Sequence, residues 1–317
     1  MRTKRSAAVS IVAVAFASVA APGAALAHGI AGKRFFPATL KTEDPFVADE
    51  LSLPTISTVR MPASEDARAT RETTFSIDVS KRITENIGIG VGGAYKRLRQ
   101  DGAETQRAFD NAAASIKYKL YQNDMHETIL SAGVDWDIGG SGSKRVGAEP
   151  FSTVTPALFF GKGLGDLPES AMYWRPFAVT GSVGIGIPSR ANSSSLSDEG
   201  ELVIERHPHT LILGLAIEYS VPYLQAFVKD VGLREPFNQL IPVIEFALTK
   251  PLDRGRGPTT ATVNPGFLWA GRTMQLGLEA VVPVDRHSGT GVGWVVQLHF
   301  FLDDLFPTTI GKPIFGE

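Results

Sequence analysis

From Thr73 onward, apolar and polar residues alternate at every second position. Phe75, Ile77, Val79 and Ile83 are separated by Ser76, Asp78 and Ser80, and the run stops at Thr84-Glu85-Asn86. Ile87, Ile89, Val91 and Tyr95 then alternate with Gly88, Gly90, Gly92 and Lys96. A period of two marks a strand with one apolar face, and two such runs across a short polar turn predict a hairpin. The pattern recurs at 116–120, 130–138, 154–160, 177–187, 211–221, 242–248, 263–269, 276–282 and 292–300. That makes eleven segments, and Leu51–Met61 supplies a candidate twelfth. Most are roughly 8–12 residues long, close to what a tilted membrane-spanning strand requires. No stretch shows the i, i+3, i+4, i+7 spacing of an amphipathic helix.

The character of the other face separates a soluble sheet from a membrane barrel. A soluble sandwich turns one face to water and covers it with Lys, Glu, Asp and Arg. Here that face is mainly Gly, Ser, Ala and Thr, with few charges. Small residues suit the interior of a narrow barrel, and a continuous apolar face suits lipid. The predicted fold is therefore all-β: a transmembrane antiparallel up-and-down β-barrel of about twelve strands, with ten to fourteen as the range. A soluble barrel or sandwich is the alternative. Tyr95, Tyr121, Trp174, Tyr219 and Tyr223 fall near strand ends and are candidates for interfacial girdles. Residues 139–147 and 188–209 read as long loops.

The two ends of the chain do not follow the alternation. Residues 1–27 carry a basic start, an Ala/Val-rich stretch and the small-x-small ending Ala25-Leu26-Ala27, the parts of a cleaved signal peptide. Residues 28–50 have no period and are expected to form a periplasmic arm or a plug in the lumen. The barrel is expected over 51–306 and a tail over 307–317. Composition narrows the function. The net charge of −2 leaves no footprint for nucleic acid. The lack of Cys excludes disulfides, thiolate nucleophiles, zinc-thiolate sites and iron–sulfur clusters. The expected partners are the lipid bilayer and a small-molecule solute, with no cofactor, in the outer membrane of a bacterial cell. The sequence sets no oligomeric state.

Strand parity assigns Glu218, Glu245, Glu279, Gln297 and His299 to the lumen on the C-terminal strands. It assigns Asp78, Lys117, Lys119, Asp135 and Asp137 to the lumen on the N-terminal ones. Such residues either line a selective pore or form a buried network that fills a closed barrel. The glutamates are also conceivable general acid/base groups, and His299 could meet an inward Ser131, Ser182 or Ser220. No Gly-x-Ser-x-Gly elbow accompanies them. His207 and His209 share a loop, and His28 would become the new N-terminus after cleavage; each is a conceivable metal ligand, with an incidental loop or terminal residue as the plainer reading.

The polar-turned hairpins, of which Phe75–Leu98 is an example, resemble the outer-membrane transporters of the phenol meta-pathway type. The resemblance spans residues 70–300 and rests on texture rather than on a strict motif. Arg34-Phe35-Phe36-Pro37-Ala38-Thr39-Leu40 and Phe301-Leu302-Asp303-Asp304-Leu305-Phe306-Pro307 look like the ends of an uncharacterised exported bacterial family. The resemblance implies an outer-membrane location and passive uptake of small molecules, hydrophobic ones among them, and it brings no functional residues with it. The expected function is thus a channel or transporter rather than an enzyme. Two alternatives stand beside it: a sealed interaction barrel that binds a partner through its loops or arm, and an outer-membrane lipid hydrolase.

Overall fold

The computed structural model describes residues 29–63, 69–100, 102–196, 202–254 and 257–316. The signal-peptide segment 1–27 and His28 lie outside the described residues. Twelve barrel strands follow in chain order: β1 (Glu50–Met61), β2 (Thr70–Arg82), β3 (Ile87–Gln100), β4 (Ala112–Asn123) and β5 (Thr128–Ile138). Then come β6 (Thr153–Gly163), β7 (Phe177–Pro188), β8 (Thr210–Tyr219) and β9 (Leu240–Pro251). β10 (Thr260–Ala270), β11 (Met274–Pro283) and β12 (Gly293–Phe301) complete the set. A short strand, Gln106–Phe109, continues β4 along β3. The register moves by one residue between the pairs Tyr95↔Phe109 and Gly92↔Ala113, so Asp110-Asn111 marks a bulge in one long strand.

Each strand pairs antiparallel with its chain neighbours, and β12 returns to β1 from Trp294↔Thr58 to Phe301↔Glu50. The sheet is a closed up-and-down barrel, as the alternation predicts. Closure leaves no sheet edge, which a chain in lipid requires because nothing there satisfies an open backbone group. The apolar parity faces outward and stays exposed all round: Phe75, Ile89 and Ile116 on one side, Ile185, Ile244 and Leu276 on the other.

Both described chain ends lie at one end of the barrel, together with the short turns 83–86, 124–127 and 271–273. We call this the plug end. The loop end carries residues 139–152, 189–196, 202–209, 252–254, 257–259 and 284–292. The segment read as a plain loop over 188–209 contains its own hairpin, Asn192–Leu196 against Leu202–Arg206. Tyr223 is not a girdle residue. Strand β8 stops at Tyr219, and Ser220 caps a helical turn by accepting the Tyr223 amide, which carries the Tyr223 ring into a buried position. Tyr121 and Trp174 are exposed at the plug end.

The hydrophobic core lies inside the barrel, between residues 29–49 and one half of the wall. Ala216, Ile241, Val243, Leu268 and Ala270 pack with Phe35 and Leu40, while Ala31, Phe36 and Ala178 pack with Phe46. The inward face is thus apolar near the plug end of β9 and β10, where parity alone suggests a polar lining. Gly277 makes room for this contact, since a Cβ there would come within 2.5 Å of Leu40 Cδ1. The last strand ends on the buried aromatic Phe301 rather than on Phe306. Beyond it Leu302–Leu305 make a helical turn, and Ile314 and Phe315 donate amide hydrogen bonds to the carbonyls of Arg82 and Ile83.

Ile56 and Val296 face each other across the closing seam. With no native Cys to interfere, an Ile56→Cys/Val296→Cys variant should form an intramolecular disulfide on oxidation. Its boiled, non-reduced form should migrate faster than the reduced form on denaturing gels. Identical migration after quantitative oxidation would contradict barrel closure between β1 and β12.

The plugged lumen as candidate functional site

A segment without secondary structure can enter a lumen only if its backbone polar groups find partners there. Residues 29–49 find them on the barrel wall. At the apex, Glu245 is fully buried and accepts the amides of Leu40 (2.6 Å), Lys41 (3.0 Å) and Thr42. The carboxylate sits midway along β9, on the inward parity, and holds three consecutive N–H groups. Gln275 donates to the Ala38 carbonyl (2.6 Å), Lys117 to that of Asp44 (2.7 Å) and Ser80 to that of Ala48 (3.0 Å); Ser131 donates to that of Pro45.

Two clusters of charged residues fix the legs of the plug. Arg34, fully buried, donates Nε to Glu127 (3.2 Å), Nη1 to the Pro176 carbonyl (2.8 Å) and Nη2 to that of Arg175. Its guanidinium stacks on Tyr223, 3.9 Å from the ring centroid. The Tyr223 hydroxyl donates to Glu127 (2.9 Å). Burial, and then this bond to the carboxylate, push that hydroxyl up to about 12, so it remains a donor at neutral pH. Where the plug leaves for β1, the buried Asp49 accepts from Lys81 Nζ (2.6 Å), Arg82 Nε (2.8 Å) and the Arg82 amide (2.8 Å). The free Arg82 and Lys81 donors reach carbonyls of the C-terminal tail, Arg82 Nη2 to Gly311 (2.8 Å) and Lys81 Nζ to Ile310 (2.9 Å).

The plug occupies one half of the lumen. On the other half, along β2 to β6, a cavity of about 480 Å³ remains between plug and wall. Gly90, Gly92, Ala113 and Ser115 pave it, so the wall stands back there. Asp78, Lys117, Asp135, Asp137, Gln297 and His299 line it, together with Glu43 of the plug. Asp78 and Asp135 have no hydrogen-bond or ion-pair partner among the described residues. Asp137 accepts from Asn111 (2.9 Å), and Lys117 pairs with Glu43 (3.2 Å) above the Phe159 ring.

The remaining candidates lie under the plug or beside it. Glu218 is buried with Thr180 as donor (3.4 Å), and Glu279 is buried on β11 next to Gly266 of β10. Lys119 bonds Gln122 (3.2 Å), which in turn donates to the Ile30 carbonyl (3.2 Å) near the plug base. Gln297 donates to Thr55 (3.1 Å). His299 does meet a serine, but it is Ser52 (2.9 Å at Nδ1), and Glu50 lies 3.8 Å from its Nε2. Ser131 and Ser220 are engaged with the plug and the helix cap instead, so the pairing envisaged with them does not form. His207 and His209 bond Ser193 (3.0 Å) and Asp253 (2.6 Å). Among the described residues no group of three or more His, Asp or Glu is placed to hold a metal. Sequence reasoning missed Arg34, Asp49, Ser52 and Glu127. Arg34, Asp49 and Ser52 are charged or polar within, or just beside, a segment lacking any period, whereas Glu127 stands in the turn between β4 and β5, where a charge is ordinary.

No protein-family model matches the chain, and no curated protein matches it in sequence. Solved structures do match its fold. An outer-membrane channel from Pseudomonas putida F1 superposes with a TM-score of 0.59 at 10% identity, over 84% of this chain and 99% of that one. The β domain of the Bordetella autotransporter BrkA superposes with a TM-score of 0.50 at 14% identity, over 80% of this chain and 99% of that one. At such identities the likeness concerns the fold.

Replacing Glu245 by Ala leaves three plug amides without an acceptor. Each such loss costs about 1–3 kcal/mol, so local stability should fall by at least about 3 kcal/mol. Hydrogen exchange at the Leu40–Thr42 amides should then accelerate by about 100-fold. Unchanged exchange would show that Glu245 does not hold the apex.

Proposed function

We propose that the protein is an outer-membrane channel for small solutes, exported by a cleaved signal peptide over residues 1–27. Its lumen is narrowed by residues 28–50 acting as a plug from the periplasmic side. The observation that carries this reading is the polar cavity left beside the plug. A barrel built only to be sealed gains nothing from two lumenal carboxylates, Asp78 and Asp135, that have no hydrogen-bond or ion-pair partner among the described residues. The likeness to an outer-membrane channel supports the same reading. So does the exposed apolar band, which in water would be an aggregation surface. Three of the five connections at the plug end are turns of four residues or fewer, and both described chain ends lie there, as on the periplasmic side of such barrels.

The solute follows from the lining. The sequence resemblance implies small, hydrophobic molecules. Asp78, Asp135 and Asp137 favour instead solutes that bring hydrogen-bond donors or positive charge, with the floor of Gly90 and Gly92 leaving room for them. We read the chain as non-enzymatic. The Ser52–His299 contact is almost fully buried, which leaves little room for a substrate beside the hydroxyl. The second reading, a sealed interaction barrel, is favoured by the density of bonds that hold the plug.

Under a KCl gradient across a planar bilayer, the channel should show a reversal potential of cation-selective sign. An Asp78→Asn/Asp135→Asn variant should move it toward zero while keeping its conductance within about twofold. A lack of current from correctly folded protein would support the sealed barrel and contradict the channel.

A further inference from the structure

Near the loop end, the outward face of β1 to β4 abandons its apolar pattern. Arg60 pairs with Arg71 across β1 and β2, and Arg71 pairs with Arg99 across β2 and β3. In the next row Arg97 pairs with Arg107 on the extension of β4. All five arginines are exposed, on the same parity as Phe75, Tyr95 and Phe109. None makes an ion pair or a side-chain hydrogen bond among the described residues. Among the described acids nearby, two are aimed at another partner. Glu72 and Asp110 serve the inward Lys96, at 3.9 and 2.5 Å, and Glu104 lies at the loop tip beside Arg107 and Arg145.

Like charges placed directly opposite on adjacent strands destabilise a sheet. Five arginines in two cross-strand rows are costly unless an anion bridges them. Their depth identifies that anion. Tyr95 and Phe109, with ring centroids 5.2 Å apart, are paired across β3 and β4, and Phe75 pairs with Tyr95 from β2. This aromatic row stands at the top of the apolar band. Arg97 and Arg107 lie two positions beyond it, and Arg71 and Arg99 four positions, which is about 5–15 Å further along the strands. That is the level of a lipid headgroup above its acyl chains. Guanidinium groups bind phosphate bidentately, and clustered ones attract anionic headgroups.

We propose that this face binds a phosphate-bearing glycolipid of the outer leaflet, with its phosphates between the arginine rows and its acyl chains against Phe75, Tyr95 and Phe109. The inference rests on the outer-membrane reading above. It is tested with the full protein in detergent by measuring thermal unfolding with three additives. These are lipid A (a bis-phosphorylated glucosamine disaccharide lipid), its dephosphorylated form, and inorganic phosphate at matched concentration. Lipid A should raise the midpoint by about 5 °C, with the other two near zero. An Arg71→Gln/Arg97→Gln/Arg99→Gln/Arg107→Gln variant should lose the rise yet keep its heat-modifiable gel migration. Equal stabilisation by the dephosphorylated lipid, by free phosphate, or of the variant overturns the site. Loss of heat-modifiable migration in the wild-type protein would overturn the membrane-barrel reading and this site with it.

Discussion

A single buried carboxylate decides how this barrel is filled. Glu245 reaches into the lumen from the middle of β9 and takes three consecutive amides from a segment that has no secondary structure of its own at that point. Without such an acceptor, an irregular chain in a closed barrel would leave N–H groups unpaired, at a cost larger than its apolar contacts return. With it, Leu40 can settle on Ile241, Val243 and Leu268 beside Phe35, and the core forms inside the barrel rather than outside. The bonds from Gln275, Lys117, Ser131 and Ser80 extend the same solution along the plug.

Strand number explains why a plug is needed. Eight strands enclose a lumen that side chains can fill, and sixteen or more leave an aqueous channel. Twelve lie between these limits. Inward side chains alone leave a space that is neither packed nor freely open, and residues 29–49 take up half of it. The wall is divided accordingly. On β8 to β11 buried inward residues face the plug, whereas on β2 to β6 a floor of Gly, Ala and Ser faces the cavity, in which Asp78 and Asp135 have no hydrogen-bond or ion-pair partner among the described residues. One half holds the molecule together, and the other half keeps the cavity on which the proposed channel depends.

The strands were legible because their signal is local: a period of two needs only neighbours in sequence. Parity placed Glu245, Glu279, Gln297 and His299 inside for the same reason. It could not show what they touch. Glu245 meets Leu40 across about 200 positions, and Arg34 meets Glu127 across about 90. No periodic pattern encodes such pairings, and so the plug's path and the ion pairs that hold it were invisible. The inward Ile241 and Val243 were hidden too, because apolar residues on both faces of a strand blur the alternation. Tyr223 misled because Pro222 and the Ser220 cap end the strand earlier than the apolar run suggests. The arginine rows emerge only when the register aligns Arg60, Arg71 and Arg99.

The most direct test of the account is single-channel conductance of the reconstituted protein, compared with a form lacking residues 29–49 and with the Glu245→Ala variant. If the Glu245-held segment narrows a working lumen, the wild type gives small stable steps. The deletion should then give steps severalfold larger, and Glu245→Ala should flicker between the two levels. Steps of one size from all three would contradict the account, because the segment would not then stand in the path of ions.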